Sequence, residues 1–279
     1  MNKSSLVSVI VTTRNNHETL GACLLSIKKQ SYESLELIVV DNNSTDDTRL
    51  IAKRYTEHIY VKGPERSTQR NFGVEKTKGS YVLIIDSDME LGQDVVKACV
   101  EKVQNSPSTK AVIIPEESFG VGFWAQCKRL ERSFYVGVRW IEAARFFDKS
   151  TYEEVGGYDE SLVSGEDWDL SRRVEMAGNI SNVTEFIRHN EGHINLLKTL
   201  KKKYYYAQHA KDYLVHNPEH SMLSAQVGPI QRYKLFLSHP VKLFKNPFLG
   251  TAMLFMKSSE FAVGAAGFIK SIRSEGVPE

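Results

Sequence analysis

The chain has 279 residues, a formal net charge of +2, 41% hydrophobic residues and 25% charged residues. That balance is globular, and it excludes a low-complexity or strongly charged disordered chain. The near-neutral total hides an asymmetry: residues 1–197 sum to −5 and residues 198–279 to +7. This length suits one large α/β domain, or one domain with an appendage.

The three cysteines, Cys23, Cys99 and Cys127, are odd in number and show no metal-ligand spacing. They read as reduced, mostly buried thiols of a cytoplasmic protein. No apolar run follows a basic start at Met1–Ser5, so no secretory signal is expected. The longest uncharged apolar stretch, Asn246–Met256, is shorter than the ~20 residues of a spanning helix.

In chain order, Leu6–Val11 is a short β-branched strand that stops at Thr12-Thr13-Arg14-Asn15-Asn16. Glu18–Gln30 has helical spacing through Leu20, Leu24 and Ile27. Leu35–Val40 is a second buried strand, closed by Asp41 and a polar turn. Thr48–Tyr55 predicts a helix, His58–Val61 a strand and Arg70–Lys76 a helix. Tyr81–Ile85 is an apolar run that ends at once in Asp86-Ser87-Asp88, the pattern of a central parallel strand. Asp94–Gln104 then predicts a helix and Ala111–Pro115 a strand. Alternation of this kind predicts βαβ units and a mostly parallel sheet with right-handed crossovers.

Three strands thus end in polar turns, after Val11, Val40 and Ile85. In a parallel sheet those turns share the carboxyl edge, where open α/β sheets bind ligands. Asp86 and Asp88 both reach toward one cation there. Oxygen-only ligands suit a hard ion such as Mg²⁺ or Mn²⁺. The plain alternative is a solvated acidic turn.

Taken together, VSVIVTTRNN, LELIVVDNNSTDDT, RSTQRNFGVEKTKGSYVLIIDSDM, FFDKSTYEEVGGYDESLVSGEDWDLSRRVEMAG and IRHNEGH resemble the family-2 glycosyltransferases of GT-A fold, over roughly residues 6–193. The resemblance implies an α/β, Rossmann-like, mostly parallel sheet flanked by helices, with a C-terminal helical appendage. It divides the chain into a nucleotide-sugar-binding and catalytic domain, 1–196, and a basic, apolar-rich region, 197–279. Thr12, Thr13 and Asn15 would lie at the nucleotide, although the Pro and aromatic residue that relatives carry in this loop are missing. Asp41 would accept a hydrogen bond from the base; its alternative role is a helix N-cap. Arg70 would hold the nucleotide or its phosphates, or else pair with a carboxylate.

Asp86 would face the ribose or metal, and Asp88 would ligate Mn²⁺ or Mg²⁺. His189 would be a third ligand, with His193 in reserve. Asp167 would be the general base toward the acceptor hydroxyl, with Glu166 assisting and Trp168 lining the sugar or acceptor pocket. Carboxylates at a helix start are also favoured by the macrodipole alone. The implied donor is a nucleotide-diphosphate sugar, with UDP favoured. The basic, aromatic C-terminal tail alone favours a polyprenol-linked saccharide or a growing surface polysaccharide as the acceptor.

Beyond Leu196, Lys198, Lys201, Lys202 and Lys203 precede Tyr204-Tyr205-Tyr206, and Phe248–Ile269 holds two apolar runs split by Lys257-Ser258-Ser259-Glu260. This region is expected to pack on its own domain or to touch an anionic membrane surface peripherally, on the inner face, without spanning. Two rival classes are a sugar nucleotidyltransferase and a non-catalytic glycan- or partner-binding relative. The first usually carries a Gly-rich loop near the first strand, which Thr12–Asn16 lacks; the expected acidic positions argue against the second. A dinucleotide-binding dehydrogenase would need a Gly-x-Gly-x-x-Gly after the first strand, which is absent. No nucleic-acid reader motif is present.

Overall fold

A computed structural model describes residues 5–210, 213–214, 226 and 228–274. They form two compact units. The first comprises residues up to Glu116 together with Ala143–Glu160 and Glu166–Asn190; the second comprises Glu117–Glu142, Ser161–Gly165 and the chain from Glu191 on. The second unit thus includes two segments that precede the sequence division at residue 196.

Unit 1 is built on a seven-stranded sheet in the order β3-β2-β1-β4-β8-β6-β9. Its strands are β1 (Val7–Thr13), β2 (Leu35–Asp41), β3 (Ile59–Val61), β4 (Tyr81–Asp86), β6 (Thr109–Ile113), β8 (Ala144–Asp148) and β9 (Asn179–Asn182). β1 runs parallel to β2 and β4, and β6 parallel to β9; β8 alone opposes its neighbours β4 and β6. Flanking helices are α1 (His17–Lys28), α2 (Thr48–Ala52), α3 (Arg66–Glu75), α4 (Val95–Asn105), α6 (Lys149–Glu154) and α7 (Glu166–Ala177).

The period of two in each strand divides the core. Val7, Val9, Val11, Leu83 and Ile85 point to one face with α1 and α4. Ile10, Val82 and Ile84 point to the other, with Leu170 and Val174 of α7. Strands buried on both faces read as continuous apolar runs, which is why they are visible in sequence. α3 begins a turn earlier than its apolar spacing predicts, at Arg66. β5 (Met89–Leu91) runs antiparallel to β10 (Ile187–His193), with His189 opposite Met89.

Unit 2 contains most of β7 (Glu116–Val121), then α5 (Phe123–Ser133), α8 (Leu196–Gln208), α9 (Pro229–Leu237), α10 (Pro240–Phe244) and α11 (Pro247–Ser274). The two apolar runs of the C-terminal region are one continuous helix of 28 residues. Its stretch Pro247–Ile272 is long and apolar enough, by length and composition, to cross a membrane. A core of Cys127, Phe134, Tyr135, Phe236, Leu243, Met253 and Met256 packs α5, α9, α10 and α11 together. All three cysteines are free and buried.

Candidate active site

The register of the sheet sets the site. Thr12 lies opposite Val40 on one side and Asp86 on the other, and Thr13 lies opposite Asp41. The three polar strand ends therefore form one row at the carboxyl edge, as the strand pattern predicts. Thr12 Oγ1 donates to Asp86 Oδ1 at 3.2 Å. Asp41 is wholly buried; its Oδ2 accepts from the backbone N–H of Ser44 at 2.8 Å. It caps no helix, because α2 starts only at Thr48. Asp41 Oδ1 and Thr13 Oγ1 are buried without a hydrogen-bond partner among the described residues. Such orphans carry a desolvation cost and mark places where a ligand donor or acceptor fits.

Asn15 holds a left-handed φ of 45° and is exposed. Its side-chain oxygen accepts from Thr45 N at 2.8 Å, and its own N–H donates to Ser44 Oγ at 2.8 Å. The residue thus ties the loop after β1 to the loop after β2, a structural task that sequence reading did not anticipate.

Arg70 is the hub. It is fully buried on α3, and its guanidinium reaches Asp86 at 3.1 Å, Asp167 at 2.9 Å and Glu166 at 3.5 Å. It also lies over the Tyr158 ring, 4.9 Å from the centroid. Arg70 thus pairs with carboxylates, the second of its two sequence readings, and the first, contact with the nucleotide or its phosphates, stays a proposal. Arg145 on β8 makes a second clamp, 2.8 Å from Glu116 and 3.7 Å from Asp86. Burial alone would push the Asp86 carboxyl up; Arg70, then Arg145 and Arg66, outweigh it and hold it well below the usual carboxylate range. Asp86, expected to face the ribose or metal, has its oxygens beside these arginines.

Glu166 is pushed the other way. Burial and then the neighbouring Asp167 charge raise its carboxyl, against the opposing pull of Arg66 and Arg70. Asp167 remains about a third exposed, 31%. Its Oδ1 accepts from Arg70 at 2.9 Å and from the Tyr158 hydroxyl at 3.0 Å. Both bonds fall on Oδ1, leaving Oδ2 without a hydrogen bond among the described residues.

The loop that delivers Tyr158 needs glycine. Gly157 has φ +64°, and a Cβ there would lie 2.7 Å from Asn71 Oδ1 and 2.9 Å from the Tyr152 ring. Asn71 accepts from Tyr158 N at 2.9 Å and from the Tyr152 hydroxyl at 2.7 Å, and donates to Tyr158 O at 2.8 Å.

Asp88 stands apart from the arginines. Its Oδ1 is buried with no hydrogen-bond partner among the described residues, and its Oδ2 lies 3.3 Å from His189 Nε2. The pairing is fixed by backbone: Asn190 N donates to Asp88 O at 2.8 Å. An orphaned carboxylate oxygen beside an imidazole nitrogen fits a divalent cation that draws its other ligands from water and phosphate. Among the described residues no three His, Cys, Asp or Glu side chains converge as a ready-made cage. His193 lies past this pairing, beside Gly122. His189 Nδ1 is 3.6 Å from Glu116 Oε2. Glu116 therefore faces both His189 and Arg145, and sequence reading missed it. The only sequence signal was a carboxylate directly after the strand end at Pro115. Trp168 is half-buried in the first turn of α7.

This arrangement, a parallel sheet whose carboxyl edge gathers Asp41, Asp86, Asp88 and the acidic start of α7, is the GT-A fold. The family signature described as Glycosyl transferase family 2 matches residues 8–153. The chain belongs to that family. It is 34% identical over 103 residues to Glycosyltransferase GlyA of Streptococcus pneumoniae serotype 4, across 35% of this chain and 15% of that one. It is 31% identical over 106 residues to the GalNAc(5)-diNAcBac-PP-undecaprenol beta-1,3-glucosyltransferase of Campylobacter jejuni, across 34% of each. The matches thus span well under two thirds of these relatives. Among solved structures, the Pyrobaculum calidifontis mannosyltransferase PcManGT in complex with GDP-Man and Mn²⁺ superposes with a TM-score of 0.58 at 18% identity, covering 97% of this chain and 81% of that one. At that identity the likeness is one of fold.

Proposed function

We propose that the protein transfers a sugar from a nucleotide-diphosphate donor, UDP-linked by preference, to an acceptor hydroxyl with inversion at the anomeric carbon. The observation that carries this reading is Asp167: one carboxylate oxygen is anchored by Arg70 and Tyr158, and the other is left open on a partly exposed helix start. That is the geometry of a positioned base. Asp167 takes the acceptor proton as the acceptor oxygen bonds to the anomeric carbon and the nucleoside diphosphate leaves with the electron pair of its bond. The proton ends on Asp167.

Glu166, whose carboxyl is pushed up by burial and then by the Asp167 charge, positions the acceptor through a hydrogen bond. Asp41 and Thr13 offer unpartnered polar atoms to the base and ribose. Asp88 and His189 would hold a Mn²⁺ or Mg²⁺ ion, which when bound supplies positive charge at the leaving diphosphate. The rigid arginine clamp keeps these groups in place, so positioning and electrostatics supply most of the acceleration. A saccharide carried on a polyprenol diphosphate is the acceptor class we favour, supported by the undecaprenol-linked acceptor that the Campylobacter relative is named for and by the basic apolar C-terminal region.

The test is calorimetric titration with UDP and GDP, each with and without Mn²⁺, on the wild type and on Asp88→Ala, followed by donor turnover. Metal-dependent binding of one nucleotide, lost in Asp88→Ala, is expected. Asp167→Asn is expected to bind donor normally and to lose transfer by about 10²–10⁴-fold. Undiminished turnover in Asp167→Asn, with its circular dichroism unchanged, would remove Asp167 from this role.

A further inference from the structure

Helix α11 buries its mid-helix charges beside Met253 and Met256 and leaves apolar residues outside. Its two mid-helix charges, Lys257 and Glu260, are buried at 8% and 4% exposure, while Phe248 and Phe255 are 73% and 59% exposed. The outward positions follow helical spacing: Phe248, Thr251, Phe255, Ser258, Ala262, Ala265 and Ile269, then Ile272. From Phe248 to Ile269 this solvent face carries no charge. A water-facing helix shows the opposite order.

The inward charges are satisfied locally. Lys257 lies 2.7 Å from Glu131 of α5 and 2.8 Å from Glu260, and Lys128 lies 2.8 Å from Glu131 and 3.6 Å from Glu260. Two cations and two anions pair in this quartet, and Lys203 of α8 adds positive charge beside it. The buried side is therefore self-sufficient, and the apolar side is the one left to be explained.

The outward stripe continues onto neighbouring elements of the same unit. The Phe248 ring lies 5.2 Å from Phe123 of α5, and Trp124 lies 6.5 Å from Phe255. Gly250 is pressed against the Leu243 carbonyl, where a Cβ would sit at 2.2 Å, and this brings α10 onto the start of α11. Val241 and Phe244 of α10 add exposed apolar area, Val241 at 85%. Contiguous exposed apolar surface of this kind marks a binding face.

The charge around it selects the occupant. From Gln226 to Ser259 the chain has no Asp or Glu and five Lys or Arg. Of these, Lys234, Lys242 and Lys245 are exposed. A second copy of the chain, docking isologously, would set these cations against themselves. An anionic bilayer receives both the aromatic residues and the lysines.

We propose that the outward face of α11, with α10 and the Phe123–Trp124 corner of α5, lies in the headgroup region of an anionic membrane, α11 flat in the interface and its charged quartet turned to the protein. This deepens the lipid-linked-acceptor reading above, and its test uses no substrate, so the two can fail separately.

The test is co-sedimentation of the full chain with vesicles of phosphatidylcholine, alone or mixed with phosphatidylglycerol. Partitioning is expected only onto the mixed vesicles, weakening with salt. The double variant Phe248→Asp with Phe255→Asp changes only exposed positions. It is expected to lose partitioning by more than about tenfold, with its melting temperature and nucleotide titration unchanged. Lys234→Gln and Lys245→Gln should each weaken it about fivefold. Failure of the wild type to bind mixed vesicles, or unchanged binding by the double aspartate variant, overturns the proposal. So does light scattering that shows a lipid-free dimer which the double variant converts to monomer, because a second copy would then be the occupant.

Discussion

Two of the buried charge clusters among the described residues differ in one respect. In unit 2, Lys128 and Lys257 pair with Glu131 and Glu260, two contacting cations for two anions, with the Lys203 charge nearby. Burial resists ionisation of both carboxyls, yet the lysines hold them well below and below the usual range, Glu131 through Lys128 and Lys257 and Glu260 through Lys128 first. In unit 1, Arg70 is shared by Asp86, Glu166 and Asp167, with Arg145 at 3.7 Å from Asp86 and Arg66 at 3.3 Å from Glu166. There the carboxyls are driven apart, Asp86 down and Glu166 up. A balanced cluster closes on itself and holds helices together. An oversubscribed cation leaves a carboxylate with an open oxygen, and that asymmetry is what acid–base chemistry requires.

The comparison can be broken most sharply at the hub. Arg70→Met leaves three carboxylates without their common partner, and a loss of about 3–5 kcal/mol is expected, read by urea denaturation. A smaller loss would mean that Arg66 and Arg145 carry the balance.

In unit 2 the same logic predicts recovery. Lys257→Met should cost about 3 kcal/mol, since Lys128 is then the one contacting cation for two carboxylates, helped only by the Lys203 charge, and adding Glu260→Leu should return most of it. No recovery in the double variant would show that the quartet holds more than charge balance.

Next in size is Glu116. Glu116→Gln keeps shape but removes the charge facing His189 and Arg145. Mn²⁺ affinity, followed by calorimetry, is expected to weaken about 10–100-fold. Unchanged affinity would leave Glu116 as a partner of Arg145 only.

The smallest effect is one of pH. A carboxyl whose folded pKa lies above its unfolded value binds protons more tightly in the fold, so its contribution to stability falls as pH rises through the window above the ordinary glutamate range. Glu166→Gln, which mimics the protonated form, should therefore raise the melting temperature more near neutral pH than near pH 4. Asp86 has the opposite sign: its contribution is present above the ordinary aspartate range and fades as pH falls below it. An equal shift at both pH values would contradict the raised Glu166.

Much of unit 1 was legible because its information is local. Apolar runs of five or six residues, each closed by Thr or Asp, located β1, β2 and β4 and with them the row of Thr12, Asp41 and Asp86. The acidic start of α7 was legible for the same reason. What was not legible was pairing. Arg70 and Asp167 are 97 positions apart, and nothing in either segment says that the arginine is spent on the base. β8 was missed because its run Ala144–Asp148 opens with Ala144-Arg145 and lies antiparallel at the sheet centre, so Arg145 went unweighed. In α11 the split at Lys257-Ser258-Ser259-Glu260 suggested an interrupted helix. The charges interrupt nothing, since they point inward to α5, a fact only the tertiary structure holds.

Asn71 follows Arg70 directly and clamps both backbone groups of Tyr158. The reach of the arginine to Asp167 and the placement of the tyrosine on the same carboxylate oxygen are thus set by one side chain, in a turn that only Gly157 permits. Neither Asn71 nor Gly157 has been placed against donor or acceptor. Yet shortening the one or enlarging the other would misplace the base by fractions of an ångström. In a screen scored on turnover alone, both positions would be counted as chemistry, when their office is that of a gauge block: they set a distance and take no part in what is done across it.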